Sequence, residues 1–396
     1  MPDNFLKLTS RIIYLPKKLI VLKPFLLTVF LTTFSWIAFS QSNTYLLVGT
    51  YTSGKSEGIY VYNFNSTNGD NSLVSSSKVA NPSYLAVSAD NKKVYAVTEN
   101  ADSTKFGVGG GISAFSFNNQ SGKLSFINQQ FSGGIHPCYV SVDHSGKWVF
   151  SANYTSGTGA LIPVNTDGSL GNVKQVFQDT GSGPNLQRQK SPHVHSAMLS
   201  PDNNYLFTPD LGTDKIMIYH FDKKKGILKA ANPAFAASEP GSGPRHLDFH
   251  PNNRFVYLIE EMTGTVVTFK YQSGKLQKIQ RISALPANFT GSIGSADIHV
   301  SIDGKFLYCS NRGSSNSITI FKIDSLTGML TVVGEQSCMG KTPRNFNFDP
   351  TGNFLLVANQ QSDDIVIFKI DKKTGLLTDT NKRINVPNPV CIKWIK

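Results

Sequence analysis

A unit of about fifty residues recurs along the chain, and few architectures accommodate such a repeat. It appears as NPSYLAVSADNKKVYAVTEN from Asn81, HPCYVSVDHSGKWVFSANYT from His136, HVHSAMLSPDNNYLFTPDLG from His193, GPRHLDFHPNNRFVYLIEEM from Gly243, SADIHVSIDGKFLYCSNRG from Ser295 and TPRNFNFDPTGNFLLVANQ from Thr342. With Val87, Val142, Leu199, Phe249, Val300 and Phe348 taken as equivalent, the intervals are 55, 57, 50, 51 and 48 residues. Each unit reads as strand, Asp/Asn/Gly turn, strand. A second hairpin follows, as in TVVTFKYQSGKLQKI and DIVIFKIDKKTGLLT, where alternating apolar residues flank a glycine-containing turn.

A seventh unit is divided between the two ends. TYLLVGTYTSGKSEGIYVYNFN near the N-terminus supplies a second strand and a hairpin, and NPVCIKWIK at the C-terminus matches the first strand of NPSYLAV. Pairing the two closes a ring and removes the free sheet edge. The sequence therefore predicts an all-β fold, a seven-bladed β-propeller of four-stranded antiparallel blades spanning residues 41–396.

Residues 1–40 differ in kind. Lys7, Arg11, Lys17, Lys18 and Lys23 precede the uncharged run PFLLTVFLTTFSWIAF, which closes on small residues before Gln41. That is the layout of a secretory signal peptide, with a retained membrane anchor as the rival, and either predicts a periplasmic or secreted chain. Five basic residues and one acid leave with this segment, taking the net charge from +12 to +8. A cationic surface of this size favours anionic partners, but no basic stripe interleaved with aromatics points to nucleic acid. A small anionic substrate is expected, with no membrane contact beyond the leader. Cys138, Cys309, Cys338 and Cys391 show no metal-binding or CxxC spacing.

Equivalent positions in a propeller gather around one channel mouth. At the start of the inner strands the column reads Ser83, Cys138, His195, Arg245, Ala296, Arg344 and Val390; at the end of the second strands it reads Tyr51, Glu99, Tyr154, Leu211, Glu261, Arg312 and Gln360. His195, Arg245, Glu261, Arg312 and Arg344 should thus converge into an anion-binding pocket capable of acid/base chemistry. Glu260 offers a second carboxylate, in the neighbouring column Thr50, Thr98, Asn153, Asp210, Glu260, Asn311 and Asn359. His193, His246 and His299 read as scaffold or rim, and Asp297 as a local cap or local pairing partner, with holding Arg312 as its alternative role. No closed ligand set for a metal is apparent, and the arginines oppose a cation on Glu99, Asp210, Glu260 and Glu261. The run GVGGG precedes a strand rather than a helix, and no G-x-S-x-G elbow occurs.

Through LLVGTYTSGKSEGIYVY, SPHVHSAMLSPDNNYLFTPDLGTDKI, GSGPRHLDFHPNNRFVYLIEE, SADIHVSIDGKFLYCSNRG, TPRNFNFDPTGNFLLVANQ and NPVCIKWI, the chain resembles the lactonase family of seven-bladed propellers. Its members include a bacterial 6-phosphogluconolactonase and fungal 3-carboxymuconate lactonising enzymes. The resemblance implies a histidine, a glutamate and arginines at the mouth, which fall on His195, Glu261, Arg245 and Arg312. It implies hydrolysis of a sugar lactone without a cofactor. Glu261 or His195 would activate water, the other would protonate the leaving oxygen, and Arg245 would stabilise the oxyanion. Arg312 and Arg344 would clamp a phosphate or carboxylate, with Tyr154 and Glu260 as further substrate contacts. A carboxymuconate cyclase using the same residues, and a non-catalytic exported binding propeller, are the alternatives.

Overall fold

The computed structural model of the chain describes residues 11–15, 44–101, 103–104 and 107–395. Most of the expected leader, and the boundary at residue 41, lie outside these residues. Among the described residues no helix is long and apolar enough to cross a membrane.

Seven four-stranded sheets form the ring, each strand antiparallel to its neighbours. In blade 5, for example, the inner strand Pro244–Phe249 pairs with Phe255–Glu260, then Thr265–Gln272, then Lys275–Ser283 at the outside. Blade 1 is the composite one: Pro389–Ile395 pairs with Thr44–Thr50 from Tyr45↔Ile395 to Thr50↔Pro389. The closure expected from the split seventh unit is therefore present. Blade 2 carries an extra two-stranded ribbon, Ser103–Thr104 with Gly107–Val108, the latter being the first two residues of GVGGG.

The second strand of each blade is buried on both faces, since blades stack face to face around the ring. Trp148–Asn153, Phe255–Glu260, Phe306–Asn311 and Phe354–Asn359 are buried along their whole length. Their sequences are accordingly near-continuous apolar runs rather than alternating ones. The aromatic that begins such a strand packs on a hairpin glycine of the next blade. A Cβ on Gly226 would lie 2.0 Å from Cη2 of Trp148, and its φ of +60° lies in the left-handed region. Gly226→Ala is expected to lower stability by about 1–3 kcal/mol, read as a fall in thermal midpoint.

One irregularity positions the functional side chains. Where the inner strands of blades 3, 5 and 7 begin, the ladder skips a residue: Pro137 and Tyr139 pair with Asn153 and Ala152, Pro244 and His246 with Glu260 and Ile259, and Pro343 and Asn345 with Asn359 and Ala358. The skipped residues are Cys138, Arg245 and Arg344. Val390 is skipped in blade 1, and the same one-residue shift falls at Ala296 and Asp297 in blade 6. A β-bulge frees its extra residue from pairing and re-aims the side chain. Five of the seven residues in the column read from the sequence are thus bulge residues; Ser83 and His195 are not among them.

Candidate active site at the channel mouth

Glu261 sits at the centre of the mouth, just beyond the end of the strand Phe255–Glu260. Its Oε2 accepts from Arg245 Nε at 3.0 Å and lies 3.0 Å from Arg312 Nη2, while Oε1 accepts from Arg188 Nη2 at 2.8 Å. Burial alone would raise its pKa, but the guanidiniums of Arg312, Arg245 and Arg188 outweigh that and bring it down to about 2. Glu261 is therefore a carboxylate at any physiological pH.

His195 is buried beside it, with Nε2 at 3.9 Å from Glu261 Oε2, beyond hydrogen-bond reach. Its backbone N–H bonds to Pro209 O at 2.9 Å, and Nδ1 lies 3.8 Å from Cys138 Sγ. Burial, reinforced by Arg245, His246 and Arg344, holds this imidazole well below the usual histidine range. It is neutral, while the nearby carboxylate is charged. Tyr154 meets His195 edge-on at 5.4 Å, and His193 stacks on the other side of Tyr154 at 4.5 Å with Nδ1 2.9 Å from Tyr154 O. His193 thus supports Tyr154 as scaffold.

Arg245 is almost wholly buried and also donates from Nη1 to Ala296 O. Arg312 donates from Nε to Gly294 O at 2.8 Å, and burial brings its guanidinium down to about 10 despite Glu261. Arg344 differs: among the described residues no carboxylate lies within ion-pair distance of it, and its guanidinium rests over the Tyr51 ring at 5.4 Å. Tyr51 Oη donates to Glu99 Oε2 at 2.9 Å, and Ser83 Oγ donates to the same oxygen. The mouth thus combines four guanidiniums with two carboxylates, an excess of positive charge that draws anions.

Two expectations are corrected. Glu260 does not join the mouth. Successive strand residues point to opposite faces, so Glu260 turns into the blade, where Thr265 Oγ1 and Arg281 Nε, the latter at 3.0 Å, donate to its Oε2. It belongs to a structural column in which Asp210 meets Thr213, Asn311 meets Thr319 and Asn359 meets Asp364. Asp297 does not hold Arg312; that is the work of Glu261. Asp297 accepts from His246 Nδ1 at 2.8 Å, His299 Nε2 at 3.1 Å and Asn345 Nδ2. Burial lowers His299, yet Asp297 and Asp248 carry it up to about 9. All four cysteines are buried free thiols.

Arg188 was not singled out by the sequence. It lies in the long connection between Gln178 and Met198, outside the repeat, and its Nη2 also donates to Tyr154 Oη at 3.2 Å. Gln189 anchors that loop from a fully buried position, donating to Leu211 O and Asp214 Oδ1, each at 2.8 Å. The signal was the length of the connection, with an arginine near its middle.

The fold places the chain in the class of seven-bladed β-propellers, with a cluster of guanidiniums and carboxylates at the mouth of the central channel. The sequence profile of the family described as "Lactonase, 7-bladed beta-propeller" matches residues 45–394. The 6-phosphogluconolactonase of Bacillus subtilis is 39% identical over 355 residues, covering 88% of this chain and 97% of the relative. That of Formosa agariphila is 39% identical over 321 residues, covering 80% and 90%. Among solved structures, the periplasmic gluconolactonase PpgL of Pseudomonas aeruginosa is similar with a TM-score of 0.84 and 39% identity, covering 89% of this chain and 99% of that one. The chain belongs to the lactonase family of seven-bladed β-propellers. It is a lactonase, a hydrolase of cyclic esters.

Proposed function

We propose that the chain hydrolyses a small anionic sugar lactone, of the class named for its Bacillus subtilis relative, by metal-independent acid/base catalysis at the channel mouth. The observation that carries this reading is a buried carboxylate gripped by three guanidiniums beside a neutral, uncommitted imidazole, with Arg344 left to receive an anion. Water must lose a proton as it attacks the carbonyl carbon, the oxyanion must be stabilised, and the leaving alkoxide must be protonated. Of the two groups considered for the base, His195 suits it better, because Glu261 is committed to its arginines. His195 takes the proton from water and, as imidazolium, returns it to the ring oxygen when the C–O bond breaks. Glu261 stabilises that imidazolium and fixes the guanidiniums. Arg245 and Arg312 face the oxyanion, and Arg344 holds the phosphate or carboxylate, a task suited to a planar guanidinium. Tyr154 walls the site.

Export is part of the same proposal. It is supported by the basic and apolar pattern of residues 1–40 and by the periplasmic Pseudomonas relative.

The test is a panel of aldonolactones, phosphorylated and not, together with a carboxymuconate. Turnover confined to the anionic lactones is expected. Turnover of the muconate alone would favour the cyclase instead. His195→Ala should reduce kcat by about 10²-fold or more with the ring intact by circular dichroism; a near-normal rate would remove His195 from the chemistry.

A further inference from the structure

Below the mouth lies a second imidazole–carboxylate pair that the mechanism above leaves unused. His246 is buried, and its Nδ1 is 2.8 Å from Asp297 Oδ1. Asp297 is fully enclosed; burial would raise its pKa, yet the charge of His299 and the bonds from His246 and His299 hold it well below the usual carboxylate range. An ionised Asp297 accepts, so Nδ1 of His246 must carry the hydrogen. Burial and the charge of Arg245 bring His246 itself down to about 4, so the ring is neutral and Nε2 bears a bare lone pair. Among the described residues that buried Nε2 has no hydrogen-bond partner.

His246 lines a small cavity together with Arg245, Arg344, Cys138, Ser83, Tyr84 and Asn345. At about 10 Å³ for the centre of a water-sized sphere, it has room for one water. The lining defines the occupant's chemistry: it must donate to Nε2 and accept from guanidinium N–H groups, as water does and a halide does not. The His246 ring also meets the His195 ring edge-on at 5.3 Å.

We infer that this cavity seats the nucleophilic water of the lactonase reaction, with His246 as the residue that orients it. One hydrogen is directed to His246 Nε2 and the other is left for His195, while the guanidiniums of Arg245 and Arg344 favour the hydroxide that forms. When His195 removes that hydrogen as a proton, the oxygen bonds to the carbonyl carbon. The ring C–O bond then breaks, and the proton passes from His195 to the leaving oxygen. Asp297 acts on this chemistry by fixing the His246 tautomer.

The inference rests on the lactonase reading, and the two are separable by experiment. His246→Asn keeps an N–H donor for Asp297 but removes the acceptor, whereas His246→Gln places an amide oxygen near the Nε2 position. In the full chain, His246→Asn is expected to lose about 10–10²-fold in kcat with KM changed less than about twofold, and His246→Gln to recover part of the loss. A crystal structure of the wild-type protein should show an oxygen within hydrogen-bond distance of Nε2. Bromide soaking should give no anomalous peak there. A folded His246→Asn variant with wild-type kcat, or a halide in the cavity, would overturn the inference while leaving the lactonase reading intact. A wild-type chain inert on every lactone would sink the reading and the inference together. If His246→Asn does not fold, the Gln variant and the wild-type crystal structure still decide.

Discussion

Glu261→Gln is expected to reduce turnover by about 10²-fold or more and to destabilise the ring at the same time. Three guanidiniums converge on this side chain, and neutralising it leaves them facing one another in a buried mouth. The stability effect carries a pH signature. The carboxyl titrates at about 2 in the folded chain against an ordinary 4.5, so its contribution is fully present above about pH 4.5 and is lost as pH falls through about 2. By linkage that contribution is roughly 3 kcal/mol. Denaturant unfolding of wild type and variant should differ most near neutrality and converge towards pH 2. A constant gap across that range would show that Glu261 is not held by its arginines in solution.

Removing residues 389–396 is expected to abolish folding. Val390, Cys391, Ile392 and Ile395 are buried, and their strand occupies the inner edge of blade 1. At about 1.5–3 kcal/mol for each fully buried apolar side chain, the loss is on the order of 6–12 kcal/mol, comparable to the whole stability of a typical domain. The exposed ladder of Thr44–Thr50 would then be a template for aggregation. A soluble truncated protein with a cooperative melt near that of wild type would show that closure is dispensable. A circular permutant that links the original termini and opens the chain at an outer hairpin keeps the pairing and should melt cooperatively.

The repeat made the fold legible because each unit must bury both faces of its second strand, and only a ring of stacked blades does that for all seven. It also made most of the mouth legible: His195, Arg245, Glu261, Arg312 and Arg344 occupy two columns, and ring geometry turns a column into a neighbourhood. The misreadings have local causes. Glu260 was grouped with Glu261, although adjacent residues at a strand end face opposite ways. Arg312 stood as an alternative partner for Asp297, but a bulge, invisible in the sequence, turns Asp297 instead towards His246 and His299. Arg188 lies outside the repeat and had no column to place it. The orphaned acceptor on His246 depends on a tautomer, which only the contact with Asp297 reveals.

The skipped residue at the head of five of the inner strands carries an evolutionary corollary. Because it stands outside the ladder, its identity can change without any backbone hydrogen bond being remade. Related chains are then free to exchange one reactive surface for another while inheriting the scaffold unchanged. Ala296 and Val390, small and apolar today, are the natural places to graft new selectivity onto this barrel of blades.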